Sequence, residues 1–263
     1  FDIYRTERQV QDIYLQRTTG AAVRVGHPLT QYLKGWLRYK NDSTHVDLQS
    51  NADPNIYPVD TVNGRTSSLT FTLEYDKRDD RLSPSDGYYS NASIEYAGLG
   101  GDLKYTLTTA TARYYKKIFW DLVWRNNVQY GIISAPGGRQ PPYTQLFLLG
   151  GANSLRGYEY SHVGKTVEDA SGNLVPFGGK QELFFNTEFE FPLISEAGIK
   201  GVVFYDVGQA EDNFKMKNFQ ADYGFGFRWF SPIGPLRFEW GFPLDKTDED
   251  RATNFEFSIG SPF

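Results

Sequence analysis

The chain has no cysteine, one methionine and three histidines in 263 residues. Without cysteine there is no disulfide framework and no thiolate metal site. The histidines, His27, His45 and His162, are scattered, and none forms a pair with metal-ligand spacing. No serine is flanked as a nucleophile elbow. These absences predict a protein that is not an enzyme and holds no metal or cofactor. Basic excess is also missing: 27 Lys and Arg stand against 32 Asp and Glu, a net charge of -5. A nucleic-acid footprint is therefore excluded. No apolar run is long enough for a spanning helix, but membrane barrels cross with alternating strands that escape a hydropathy window.

Aromatic residues, in contrast, make up 16% of the chain, with 20 Phe and 18 Tyr. They recur with period two, the strand period. Tyr223, Phe225, Phe227 and Trp229 share one face, opposite Gly224, Gly226 and Arg228. Leu236, Phe238, Trp240 and Phe242 oppose Arg237, Glu239 and Gly241; Phe255, Phe257 and Ile259 oppose Glu256 and Ser258. A soluble sandwich alternates too, but large aromatics near strand ends are the girdle pattern of a membrane barrel.

Short connections, at 26–31, 115–119, 191–198 and 231–235, alternate with long ones at 41–65, 143–179, 209–220 and 245–254. Two break the pattern: 76–87 is long on the short side, and 96–102 is short on the long side. Alternation of this kind predicts periplasmic turns and external loops. The charge run 76–81 reads as a solvated turn. About twelve strands are expected, an even number as in bacterial barrels. The whole chain, 1–263, reads as one all-β, transmembrane antiparallel β-barrel domain that opens in mid-strand, as a fragment would.

One loop stands apart, LGGANSLRGYEYSHVG at 149–164, with Arg156 between Leu155 and Gly157-Tyr158. By strand parity Glu182, Asn186, Glu188 and Glu190 point into the lumen, as does Asp206 on the following strand. Those two strands offer no arginine to these carboxylates. A loop folded inward could deliver a guanidinium, whose planar fork engages two carboxylates. Gly157 would let the tip turn tightly, and Tyr158 would pack on the wall. An exposed loop arginine in water fits the same spacing, which leaves both readings open.

The loop resembles the inward-folded loop of the BamA family, whose motif is an aliphatic residue, Arg, Gly, then Phe or Tyr. Segments 75–98, 178–193, 201–210 and 225–245 are similar to that family in the same order, and the chain ends in Phe263. The resemblance implies that Arg156 of the Leu155–Tyr158 motif pairs with Glu188 and Asp206 in a partly wet lumen. Glu188 is placed by an E-F-x-x-P pattern ending at Pro192, and Asp206 by aromatic-Asp-x-Gly ending at Gly208. It implies insertion of other β-barrels into the outer membrane of a Gram-negative bacterium, with the C-terminus periplasmic. The partners implied are unfolded barrel substrates, outer-membrane lipids and lipopolysaccharide, and lipoprotein subunits bound through periplasmic POTRA modules absent from this chain. It further implies a weak seam strand of Phe255, Phe257, Ile259, Gly260 and Phe263, with Gly260 as its kink. Gly260 and Pro262 interrupt the alternating strand, so pairing is expected to fray after Ile259.

Family barrels have sixteen strands, so the chain is the C-terminal part of such a barrel or a shortened barrel; both stay open. TamA-like and FhaC-like translocation barrels share the Arg-Gly-Tyr/Phe loop, but segments 231–245 and 187–193 together favour the BamA family. A passive porin and a surface adhesin are the rivals from other classes.

Overall fold

The computed structural model describes residues 1–263 except 12, 51, 232–233, 246–250 and 261–263. Twelve antiparallel strands form one sheet: β1 (Asp2–Val10), β2 (Tyr14–Pro28), β3 (Leu33–Leu48), β4 (Gly64–Asp76), β5 (Gly87–Ala97), β6 (Tyr105–Lys117), β7 (Val123–Ser134), β10 (Gln181–Ile194), β11 (Ile199–Glu211), β12 (Gln220–Ser231), β13 (Gly234–Pro243) and β14 (Asn254–Ile259). Each strand pairs with its sequence neighbours, and β7 pairs with β10 across the long 135–180 connection. Within that connection β8 (Thr166–Glu168) and β9 (Leu174–Pro176) form a small hairpin of their own. β1 and β14 are the edges of the sheet.

Alternation sets the two faces. Val23, Leu37, Phe71, Ile94, Phe185 and Phe225 all stand exposed on the outside. In water that much open apolar surface would cost roughly 25 cal/mol per Å²; against hydrocarbon it costs nothing. Register partners bring their rings into contact across the last three strands. Phe227 lies 4.7 Å from Phe238, which lies 5.1 Å from Phe257, and Trp240 lies 5.0 Å from Phe255. The other face is polar and buried, carrying Arg125, Glu188, Asp206, Arg228 and Glu239. A sheet whose charged face is dry and whose apolar face is open is a membrane barrel turned about a lumen.

The sheet curls far enough for distant elements to meet. Lys200 on β11 donates to Ser83 in the turn after β4, at 2.9 Å. Gln11, between β1 and β2, donates to the Ser161 carbonyl at 2.8 Å. At the long-loop end, Val10, Tyr14, Val46, Tyr57, Val62 and Tyr143 pack into a cap that joins the 49–63 and 135–180 connections.

Connections alternate in length, but some boundaries differ from expectation. Residues 41–48, expected in a loop, continue β3, because Ser43, His45 and Asp47 pair with Arg65 and β2 residues as ladder partners. The loop expected from 143 begins at 135. The 76–81 charge run is only partly solvated. Arg78 folds back onto Asp76, donating through Nε at 2.9 Å and Nη2 at 3.0 Å, and Pro84 is buried.

Candidate functional site

The loop after Leu149 enters the lumen because its own apolar residues find a pocket there. Leu149, Leu155, Tyr158 and Val163 are buried against Phe184 of β10 and Ala210 of β11. Tyr158 finishes the contact by donating its hydroxyl to the Ala221 carbonyl at 3.1 Å. These anchors deliver Arg156, which is 1% exposed.

Arg156 clasps Asp206 with two parallel bonds, Nε to Oδ2 at 2.8 Å and Nη2 to Oδ1 at 2.7 Å. Its backbone amide donates to the same carboxylate at 3.2 Å. Nη1 donates to Glu188 at 2.9 Å and lies 3.5 Å from Glu239. The guanidinium also sits 3.6 Å above the Phe204 ring, a favourable cation–π arrangement. Asn186 braces both sides, donating to Asp206 at 2.8 Å and to the Ser154 carbonyl at 2.6 Å.

Three further arginines on the wall were not assigned to this cluster from sequence. Arg228 on β12 bonds both oxygens of Glu188, at 2.7 and 2.8 Å, and reaches Glu190 and Glu239 at 2.9 and 2.7 Å. Arg125 on β7 donates to Glu190 at 2.7 Å. Arg237 on β13 donates to Glu239 at 2.7 Å and to the loop carbonyl of Ala152 at 3.0 Å. Lys200 adds a fifth cation at Glu190, 2.9 Å away. Glu188, Glu190 and Glu239 therefore do not depend on the loop for a counter-charge, whereas Asp206 takes its ion pair from Arg156. The readable signal was parity: Arg125, Arg228, Arg237 and Glu239 alternate on the lumen face opposite the aromatics, but cross-strand register was needed to join them.

Three other expectations change. The lumen at this level is dry: Glu188 and Asp206 are both 0% exposed. Glu182 belongs to a separate pair, accepting from Gln129 at 2.7 Å. Gly157 is needed for close approach rather than for a tight tip. A Cβ there would lie 2.4 Å from the Asp222 Cβ.

On β14, the strand expected to form a seam, Phe255, Phe257 and Ile259 are exposed on the outer face. The strand ends at Ile259, but pairing reaches one residue further: Gly260, at φ 121°, donates its amide to the Pro235 carbonyl at 2.8 Å. Phe263 lies outside the described residues. Among the described residues no three His, Asp or Glu side chains form a metal-binding group. What the arrangement does chemically is fix a loop across the lumen by buried, charge-assisted bonds.

The Omp85 superfamily domain matches residues 1–263. Curated relatives include the outer membrane protein assembly factor BamA of Nitratidesulfovibrio vulgaris, 27% identical over 97% of this chain and 33% of its own length. BamA of Neisseria meningitidis serogroup B is 24% identical over 95% of this chain and 37% of its own. The chain thus spans about a third of the length of these relatives. Among solved structures, that of Haemophilus ducreyi BamA lacking POTRA domains 1-3 superposes with a TM-score of 0.84 at 20% identity, over 98% of this chain and 57% of that one. A match along every residue and a shared fold place the chain in one family: it belongs to the Omp85 superfamily.

Proposed function

We propose that this chain is the barrel domain of an outer-membrane insertase that folds and inserts other β-barrel proteins. The carrying observation is the loop folded into the lumen and locked to β10 and β11 by Arg156. A passive channel has no use for a plug held by dry ion pairs, whereas a barrel that works at its edge and outer face needs a rigid, closed interior. The curated relatives are named as assembly factors, which supports the same reading. On it, the partners are unfolded barrel substrates, outer-membrane lipid and lipopolysaccharide, and lipoprotein subunits recruited through periplasmic modules. No covalent chemistry is involved. The short connections at 29–32, 118–122 and 195–198 face the periplasm with the C-terminus, and 49–63 faces outward.

The test uses the full-length protein in liposomes, with an unfolded barrel substrate added. Faster substrate folding than in empty liposomes is expected, together with low and erratic conductance in planar bilayers. Steady, large conductance without faster folding would make the protein a porin. Export of a soluble partner without barrel insertion would move it to the translocation barrels. Sidedness is read with single cysteines in a chain that has none: an impermeant reagent on intact cells should label position 55 and spare position 196.

A further inference from the structure

β14 is the shortest strand of the sheet, six residues at its edge, and among the described residues its ladder partner is β13 alone. Its first residue, Asn254, is nevertheless 6% exposed. The Asn254 side-chain amide donates to two loop carbonyls, those of Arg156 and Tyr158, each at 3.0 Å. It also reaches the Glu256 carboxylate at 2.8 Å, two residues along the same lumen face. Across the ladder Asn254 pairs with Gly241, the residue on which the loop backbone rests. The carbonyls of Arg156 and Tyr158 flank Gly157, so the amide grips the loop on both sides of the point where it touches the wall.

We propose that Asn254 is a positioning residue that couples the docked loop to the edge strand. A buried carbonyl must keep a donor or bear the cost of its desolvation. While the loop is docked, Asn254 supplies a donor to the Arg156 carbonyl and a second donor, beside the Gly151 amide, to that of Tyr158, and the leading end of β14 is held from inside the lumen as well as from β13. When the loop withdraws, Asn254 loses both acceptors and β14 keeps only a six-residue ladder. The coupling is reciprocal: whatever frees the strand end also loosens the loop. Its use rests on the insertase reading, in which the looseness of this edge governs what can pair there. The coupling itself does not.

The experiment is hydrogen exchange on the full-length protein in nanodiscs, comparing wild type with Asn254→Ala, Asn254→Leu and Arg156→Ala. Two modest hydrogen bonds correspond to about tenfold in a local opening equilibrium. Asn254→Ala should therefore speed exchange about tenfold both at 255–259 and in the loop at 154–160, and leave the β11–β12 ladder unchanged. Asn254→Leu, which restores volume without donors, should behave the same way. Arg156→Ala should speed exchange at 255–259 although it lies on the loop. Acceleration confined to 255–259 in the Asn254 variants, wild-type exchange in Asn254→Leu, or an unmoved β14 in Arg156→Ala would each overturn the coupling. A failed folding assay with intact coupling would remove the insertase reading and leave this inference standing.

Discussion

Gly241 on β13 and Gly157 in the loop pass backbone against backbone: a Cβ on Gly241 would sit 2.6 Å from the Gly157 Cα and 2.6 Å from the Arg156 carbonyl carbon. Neither side has a flexible side-chain tip to move aside. Gly241→Ala should therefore push the loop off the wall while the strands still pair. Overpacking of this kind typically costs about 1–3 kcal/mol. Limited proteolysis of the folded barrel should show new cleavage within 150–163; a loop as resistant as wild type would mean that the wall yields instead.

The outer stripe of rings makes a separate claim about solvent. Trp229 is 41% exposed on the outer face, with Trp240, Phe225 and Phe227 sharing that side on β12 and β13. In a variant retaining Trp229 as its single tryptophan, fluorescence should be quenched by lipids brominated on the acyl chains. A water-soluble quencher should have little effect. The opposite pattern would remove this face from the membrane.

Acid should loosen the 77–86 turn. Asp79 Oδ1 accepts the amides of Asp80 and Ser85 at 2.9 Å each and of Asp86 at 3.1 Å, and Oδ2 accepts the Ser85 hydroxyl at 2.6 Å. Partial burial pushes this carboxyl up, but the bonds from Ser85, Asp86 and Asp80 outweigh it and hold the group below the ordinary aspartate range. A carboxyl depressed by folding contributes its full stabilisation above the unfolded value, about 3.9. That contribution is lost as pH falls through the lower, folded value. The Ser85 and Asp86 amide resonances should shift together in that acid window. Asp79→Asn should abolish the transition; if it persists, another group is titrating.

The fold was legible because both of its determinants are local. Alternation at 223–229 and 236–242 is written in consecutive residues, and so is the rhythm of turns. Asn41 to Leu48 misled because Asn41, Asp42 and Ser43 read as turn formers by composition, whereas Asp42 and Thr44 are buried on the lumen face, where a barrel strand takes polar residues. The cluster was half legible. Arg156, Glu188 and Asp206 could be named, since each sits in a short motif. Arg125, Arg228 and Arg237 are marked by parity as lumen-facing but sit in no motif. They join Glu188, Glu190 and Glu239 only through register across β7, β10, β12 and β13, a non-local relation that neither period nor motif encodes. Asn254 was invisible for the same reason: its partners are backbone carbonyls 98 and 96 residues away.

Arg156 and Arg228 share Glu188, yet removing them should have different consequences. Arg228 connects strands: it joins β12 to β10 through Glu188 and Glu190, and to β13 through Glu239. Arg156 connects the loop to the wall. Deleting one partner of a buried ion pair costs about 3–5 kcal/mol, because the charge left behind has no solvent to turn to. For Arg156→Ala that cost falls on the docked state, and the loop can escape it by undocking while Glu188 keeps Arg228. The barrel should then melt close to wild type with a loop open to protease. Arg228→Ala leaves Glu188, Glu190 and Glu239 short of a cation within the sheet itself, so the barrel's own unfolding temperature should fall. Arg156→Lys keeps the charge but not the fork that spans both Asp206 oxygens, and should rescue only in part. A double-mutant cycle between Arg156 and Asp206, read as loop protease protection, should give a coupling energy of about 1–3 kcal/mol, the range for residues joined in one network. Additive effects would mean that Arg156 holds the loop by its bulk over Phe204 and not by its charge.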